Sequence, residues 1–571
     1  MYTPKNLTAE PLRYQHFKGE PNVRRSTPGP RVTALVSLAA TVIFAVSRFA
    51  GATTINANSA SQSDVAAAIA SAADGDTVTI PGGTASWPRT LRVRKGITIQ
   101  GAGVGVTIIK DGVQKGRLID WTLAAGYPSR LTGIEFQDGG RVGTALAPGG
   151  ILHVDGSNND GSTFRWDNSK WNNLNGSPVF DTVIGVIDHN QFVFRGSTTV
   201  YIYDTRWNGA DNGDGSWSAP TGYGTSQFLF IEDNSFTQIQ QQGFAVTDAY
   251  SGARFVVRHN TIFNGVIANH GTESTGRPRG GRAMEIYNNT WTGTNLNNIL
   301  GGARSGGVLF HDNHVSGFQG NLAHYSLDCF RVHYPFSPWG GADGTSVWDV
   351  NDPTMYFTGT AASDSSGTTV TVSGVNWTVN QWVNHAIRRT SNVCKSNSLT
   401  FAEIVGNTAN TITYTGNGGY AIPSLAFCAG DAIEIRKVIH ALDQPGRAGG
   451  SLITGDSPVR PRGWNNQVTE PCYSWNNGQG NFWAGPGVKA NVHYFNNTPM
   501  PGYTPYTYPH PLTKSLPPPE QMTRNAPGNS QHNLDKKRQP WGGKKLDRKK
   551  AKKAKESPTN EMPDGQDNPG N

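Results

Sequence analysis

Apolar residues recur along the chain in short alternating runs rather than in helical stripes, and the runs repeat. Aligned on one asparagine, five segments read GVIDHNQF, LFIEDNSF, FVVRHNTI, MEIYNNTW and VLFHDNHV, with the shared Asn at 190, 234, 260, 289 and 313. In most of them an apolar residue stands five before the Asn, another three before and another two after. That period of two belongs to half-buried strands. FRWDNSKW fits earlier with Ser169 in the slot, and YSWNN and VHYFNN return to the pattern around Asn476 and Asn496–Asn497. Spacings of 21, 44, 26, 29 and 24 residues suit a solenoid whose turns differ in loop length. One such unit is too short to bury its own apolar face, whereas stacked units share a continuous core. An Asn at the same corner of each turn predicts a side-chain ladder, because its amide can satisfy backbone groups at a bend.

The start of the body supports the same architecture. SQSDVAAAIASAA (61–73) predicts a short helix with Val65, Ala68, Ile69 and Ala72 on one face and Ser63 or Asp64 as N-cap. The short runs GDTVTIPGG, TLRVRKGITIQGAG and VTIIKDG follow, punctuated by glycine. A helix over the open end of a stacked sheet shields its exposed edge.

The helix followed by GDTVTIPGG…ITIQGAG resembles the N-terminal cap and first turns of the right-handed parallel β-helix proteins of the pectate-lyase-like superfamily. The Asn-bearing repeats resemble their central turns. This resemblance spans roughly 60–320 and 440–500 and implies an all-β, right-handed parallel β-helix. No single enzyme family of that fold is matched. The Asn-Thr-Asp, Asp-Asp and Gly-His-Gly signatures of the polygalacturonase-like hydrolases are echoed only by His270-Gly271. VRHN is similar to the Arg-His pair of the alginate and chondroitin lyases, but their accompanying lysine motif is missing.

Domain organisation follows from the change of pattern. Residues 1–52 read as a signal peptide, 53–330 as the first part of the β-helix and 438–512 as its final turns. Between them, 357–437 alternate like a small inserted β-module dense in Thr, Ser and Gly. Residues 513–571 form a Pro-rich and then basic tail of disordered composition. The run VTALVSLAATVIFAV (32–46) follows basic residues and precedes Ala50-Gly51-Ala52, the layout of a secretory signal. An uncleaved anchor is the alternative. The expected location is therefore secreted or cell-surface.

Charge narrows the partners. Of the formal +8, residues 1–31 contribute six Lys/Arg against two acids and residues 533–571 eleven against six. The body between is close to neutral, so the basic ends give no reason to expect nucleic acid. Four cysteines suit an exported chain. The nesting of Cys394 and Cys428 inside Cys329 and Cys472 predicts those two pairs, and free thiols are the alternative.

Candidate chemistry comes from the repeat register. The position two before each Asn faces outward and holds Asp167, Asp188, Glu232, Arg258, Tyr287 and His311 in turn. Asp188, Glu232, Tyr287 and His311 are candidate substrate-binding residues, and Asp188, Glu232 and Asp233 are candidate calcium ligands. The excursion ANHGTESTGRPRGGRAMEIYNN (268–289) gathers His270, Glu273, Arg277, Arg279, Arg282 and Glu285. Candidate catalytic residues are Arg258, His259, His270, Glu273, Arg282 and Glu285. Arg or His would take the proton beside a neutralised uronate, with Tyr287 or His259 donating to the leaving oxygen. Two carboxylates such as Glu273 and Glu285 would serve a hydrolase. The expected substrate is an extracellular polysaccharide, cleaved by a lyase or a glycoside hydrolase. The alternative is a non-catalytic glycan-binding protein of adhesin or tail-spike type, since an exposed polar β face needs no substrate. GAGVG (101–105) leads into a strand, not a helix, and so is no nucleotide loop. His311 and His314 lack further ligands for a metal.

Overall fold

The computed structural model describes residues 52–156, 162–204, 220–239, 244–270, 280–293, 299–317, 324–328, 355–383, 385–394, 401–414, 425–436, 445–446, 452–453, 466–467, 470–478, 480–485 and 488–514. Through the body of the solenoid the strands are visited in rotation. Thr98–Gly101, Thr107–Asp111 and Ile119–Thr122 belong to three different sheets, and Ser129–Thr132 returns to the first. Repetition builds parallel sheets of twelve, nine and ten strands around one core, a right-handed parallel β-helix. Neighbouring turns pair in register, as in Phe255↔Met284, Val257↔Ile286 and Arg258↔Tyr287.

The interior follows the predicted alternation. Phe255, Val257, Met284, Ile286, Val308 and Phe310 are fully buried. Aromatic rings stack between turns, Phe192 on Phe236 at 4.8 Å and 8°. Gly185, at φ +142°, is required by close approach, since a Cβ there would lie 2.0 Å from the Phe164 carbonyl oxygen.

The helix spans Gln62–Ser71 and buries Val65, Ala68 and Ile69. Its N-cap is Ser61, whose hydroxyl accepts from the Asp64 amide at 3.2 Å, two or three residues earlier than the sequence suggests. The Lys95 ammonium closes the other end by donating to the carbonyls of Ile69 and Ala70.

The asparagine ladder runs continuously through Asn190, Asn234, Asn260, Asn289, Asn313 and Asn477. Each Oδ1 accepts the backbone N–H of the preceding rung, Ser169 for Asn190 and Asn234 for Asn260, both at 2.9 Å. Each Nδ2 donates to carbonyls, as Asn260 does to Ile231 and Arg258, both at 2.9 Å. The final rung is Asn477 rather than Asn476. The bend itself lies one residue earlier, where Asn168, His189, Asp233, His259, Asn288, Asp312 and Asn476 all take φ of 48–56°. Asn, Asp and His are the residues that tolerate this left-handed geometry.

Residues Met355–Arg436 form a separate six-stranded antiparallel sheet with its own core of Val370, Ile387, Ile404, Ile412, Ile433 and Ile435. Cys394 and Cys428 are joined there by a disulfide. Cys472, expected in the outer pair, is a buried thiol among the described residues. It occupies an inward position of Cys472–Trp475, fully buried in the β-helix core. Its expected partner Cys329 lies outside the described residues, as do the signal segment and the basic tail.

Candidate active site

Alternation does turn the ladder-flank residues away from the core, but it does not expose them. After Phe495 the chain doubles back, and residues 503–514 lie as a strap along the twelve-stranded sheet. Arg258 is fully buried. Its Nε donates to Glu232 Oε2 at 2.7 Å, its Nη1 to the Tyr287 hydroxyl and the Tyr506 carbonyl, and its Nη2 to the Thr507 carbonyl. Glu232 also accepts the His510 amide at 2.7 Å. Arg165 grips Asp188 through Nε and Nη2 at 2.9 and 2.8 Å, and reaches the Leu512 carbonyl with Nη1. Tyr506 and Leu512 pack on an apolar patch of Val186, Phe228, Phe230 and Val256.

The residues expected to bind or transform substrate are thus largely the anchorage of the strap. Glu285 is buried, accepting from the Tyr503 hydroxyl and the Gly224 amide, and burial raises its pKa. Burial likewise raises that of Glu232, against the pull of Arg258. Tyr287, pushed up to about 12 by burial, stacks on His311 at 4.7 Å, and His311 stacks on Trp475 at 4.1 Å. His259 stacks on Tyr508 at 3.6 Å. Arg282 is fully buried and donates to Glu470 at 2.7 Å. Asp188 and Glu232 each face a guanidinium, and Asp233 accepts from the Tyr508 hydroxyl. Asp188 and Glu232 thus serve as ion-pair partners of Arg165 and Arg258. Among the described residues no three metal-ligating side chains come together. Glu273, Arg277 and Arg279 lie outside the described residues.

His270 stands apart from this group. It follows the strand Val266–Asn269 of the ten-stranded sheet and faces a different side of the β-helix. Its Nδ1 pairs with Asp248 Oδ1 at 2.8 Å, and its side chain remains 24% exposed. Asp248 is held in turn by the Ala249 amide at 2.8 Å. The pairings Thr247↔Ile267 and Asn269↔Ala303, carried on by one or more residues, put Tyr250, His270 and Arg304 in one outward row. Ala249, Asn269 and Ala303 beside them are buried. The row continues in the other direction through Tyr203, Asp181 and Asp155, joined by the pairings Tyr203↔Tyr250, Asp181↔Tyr203 and Asp155↔Asp181.

Tyr203 and Tyr250 stack at 5.3 Å and 16°. The Tyr203 hydroxyl lies 3.2 Å from His153 Nε2 and donates to the Pro148 carbonyl at 3.3 Å. Burial, with the Arg117 charge adding to it, lowers the His153 pKa to about 4, so that ring is neutral near pH 7. Burial and then Asp181 hold the Tyr203 phenol above its ordinary range. Beside this row a cleft of about 360 Å³ opens between Gln114–Gly116 and 141–150. Sequence reading missed Tyr203, Tyr250, Asp248 and Arg304 because the alignment was anchored on the Asn corner. Their own sheet carries no repeated residue to align on.

No protein-family model and no curated protein matches the chain. Among solved structures, an alginate lyase from Paenibacillus sp. str. FPU-7 matches with 14% identity and a TM-score of 0.22, covering 47% of this chain and 98% of that one.

Proposed function

We propose that the protein is a secreted polysaccharide lyase acting on a uronate-containing polymer, with its site on the outer face of the ten-stranded sheet. One observation carries the reading: a carboxylate-backed imidazole, His270–Asp248, stands between a tyrosine and an arginine on successive turns. Turns spaced about 4.8 Å apart bring these three groups within reach of one sugar residue. Arg304 neutralises the uronate carboxylate, which acidifies the adjacent C5–H. His270 Nε2 takes that proton while its Nδ1–H remains on Asp248. The C4–O4 bond breaks as the C4=C5 double bond forms, and the Tyr250 hydroxyl protonates the departing O4.

A hydrolase reading has one supporting feature. Asp155 and Asp181 are direct partners on adjacent strands, a carboxylate pair at short spacing. Incubation with polygalacturonate, alginate, hyaluronan and a neutral glucomannan separates the readings. Unsaturated products absorbing in the ultraviolet support the lyase, and new reducing ends without that absorbance support the hydrolase. Retention on a glycan array with no product from any polymer leaves a non-catalytic binding protein. If the lyase reading holds, His270→Ala lowers kcat by about 10²–10⁴-fold, the usual range for a general acid or base, while the melting temperature is unchanged. Unaltered turnover in that variant would reject the site.

A further inference from the structure

We infer that Trp483 is the stacking platform for a pyranose ring at the far end of the same face, three sugar residues from the one held at His270. This rests on the proposed polysaccharide substrate and deepens it. The strand Asn481–Ala484 belongs to the last turn of the ten-stranded sheet. Its Phe482 points into the core at 5% exposure, and alternation turns Trp483 outward at 43%. The other large side chains exposed at this level are mainly valines and isoleucine on loops and edges, and Tyr508, which covers His259.

The register links this tryptophan to the proposed chemistry without a gap. Ala268 pairs with Gly302, Gly302 with Ser326 and Ser326 with Trp483. Ala268 and His270 lie two residues apart, on the same side of one turn. Three turns separate them from Trp483, a distance of about 14 Å along the axis. The pitch is close to the length of one sugar residue, so each turn accommodates one. Ala268, Gly302 and Ser326 form a low floor between the two ends, and among the described residues no larger side chain stands between them on that row. The indole then rises at the end of the floor with His324 beside it, ring centroids 5.7 Å apart. A large apolar face left in water on an outward row of the sheet suits the C–H face of a pyranose. Such stacking releases water from both surfaces while the sugar hydroxyls stay solvated.

Two measurements test this. In affinity electrophoresis through gels containing polygalacturonate, alginate, hyaluronan or glucomannan, at least one polymer should retard the wild-type protein. Trp483→Ala should lose about tenfold in affinity for that polymer, and Trp483→Phe should keep most of it. Circular dichroism and the melting temperature should match wild type, since the side chain is outside the core. On the polymer that is cleaved, Trp483→Ala should raise KM for long chains about tenfold with kcat unchanged, and should leave trisaccharides unaffected. Equal retardation of wild type and Trp483→Ala by every polymer overturns the inference, as does an equal KM change for short and long chains. Absence of cleavage by the wild type would count against the lyase reading alone, because retardation needs no turnover.

Discussion

Asn260 shows how one side chain holds two turns together. Its amide donates to the Ile231 and Arg258 carbonyls, and its Oδ1 accepts the Asn234 amide. Removing it strands buried backbone groups, each costing about 1–3 kcal/mol when unsatisfied. Asn260→Ala should therefore lower unfolding stability by more than about 2 kcal/mol in denaturant titration, and a smaller loss would show that water replaces the amide. The rung was legible because it repeats at a fixed place in an alternating run. The left-handed bend one residue before it was legible only in outline. His, Asp and Asn at that position share a tolerance for positive φ, and that shared property becomes visible only when the turns are superimposed. Glu285, a catalytic candidate from the sequence, faces away from the core yet is buried. Tyr503, which covers it, is 218 residues away in sequence.

At the level of elements, the strap decides what the twelve-stranded face can do. It converts a row of ion pairs into an interior, with Arg165–Asp188 and Arg258–Glu232 roofed by backbone carbonyls. Breaking a buried pair by removing one partner costs about 3–5 kcal/mol, since the other charge stays buried. Arg258→Ala should show a loss of that size, and truncation after Gly502 should expose Phe230 and its neighbours to a hydrophobic dye. Neither change should alter polymer binding or turnover if these reside on the ten-stranded sheet as proposed. Loss of activity with the fold intact in either variant would return the site to the ladder flank. The strap sequence, GYTPYTYPHPL, contains no alternation, so nothing in its pattern announces a docked segment. Its role arises from backbone carbonyls, which every sequence possesses.

For the molecule as a whole, two buried histidines set a pH dependence of stability. Burial, aided by Arg258 and Arg165, lowers the His510 pKa to about 3, and His153 is lowered to about 4. Both rings are neutral when folded and ordinary, near 6.5, when unfolded. Between those values the unfolded chain binds more protons, so stability rises with pH through that window. The contribution is complete above about pH 6.5 and is lost as the pH falls toward the folded values. Glu232 and Glu285, whose pKa values are raised by burial, act with the opposite sign and lose stability as pH rises. Their presence makes a comparison necessary. The melting temperature of His510→Asn should fall less between pH 7 and 4 than that of wild type, and parallel curves would remove His510 as a cause.

The sequence by itself determined the solenoid, its core, the corner asparagines and the direction of the strand residues that flank them. All of these follow from short-range periodicity and the chemistry of a tight bend. Only the tertiary structure decided which outward face is open. That choice depends on a segment arriving from the far end of the chain, and on a sheet whose outward row is spread over single residues on separate turns. Periodicity governs whether a side chain faces in or out. Whether water reaches it depends on what else packs there, and that information is not local.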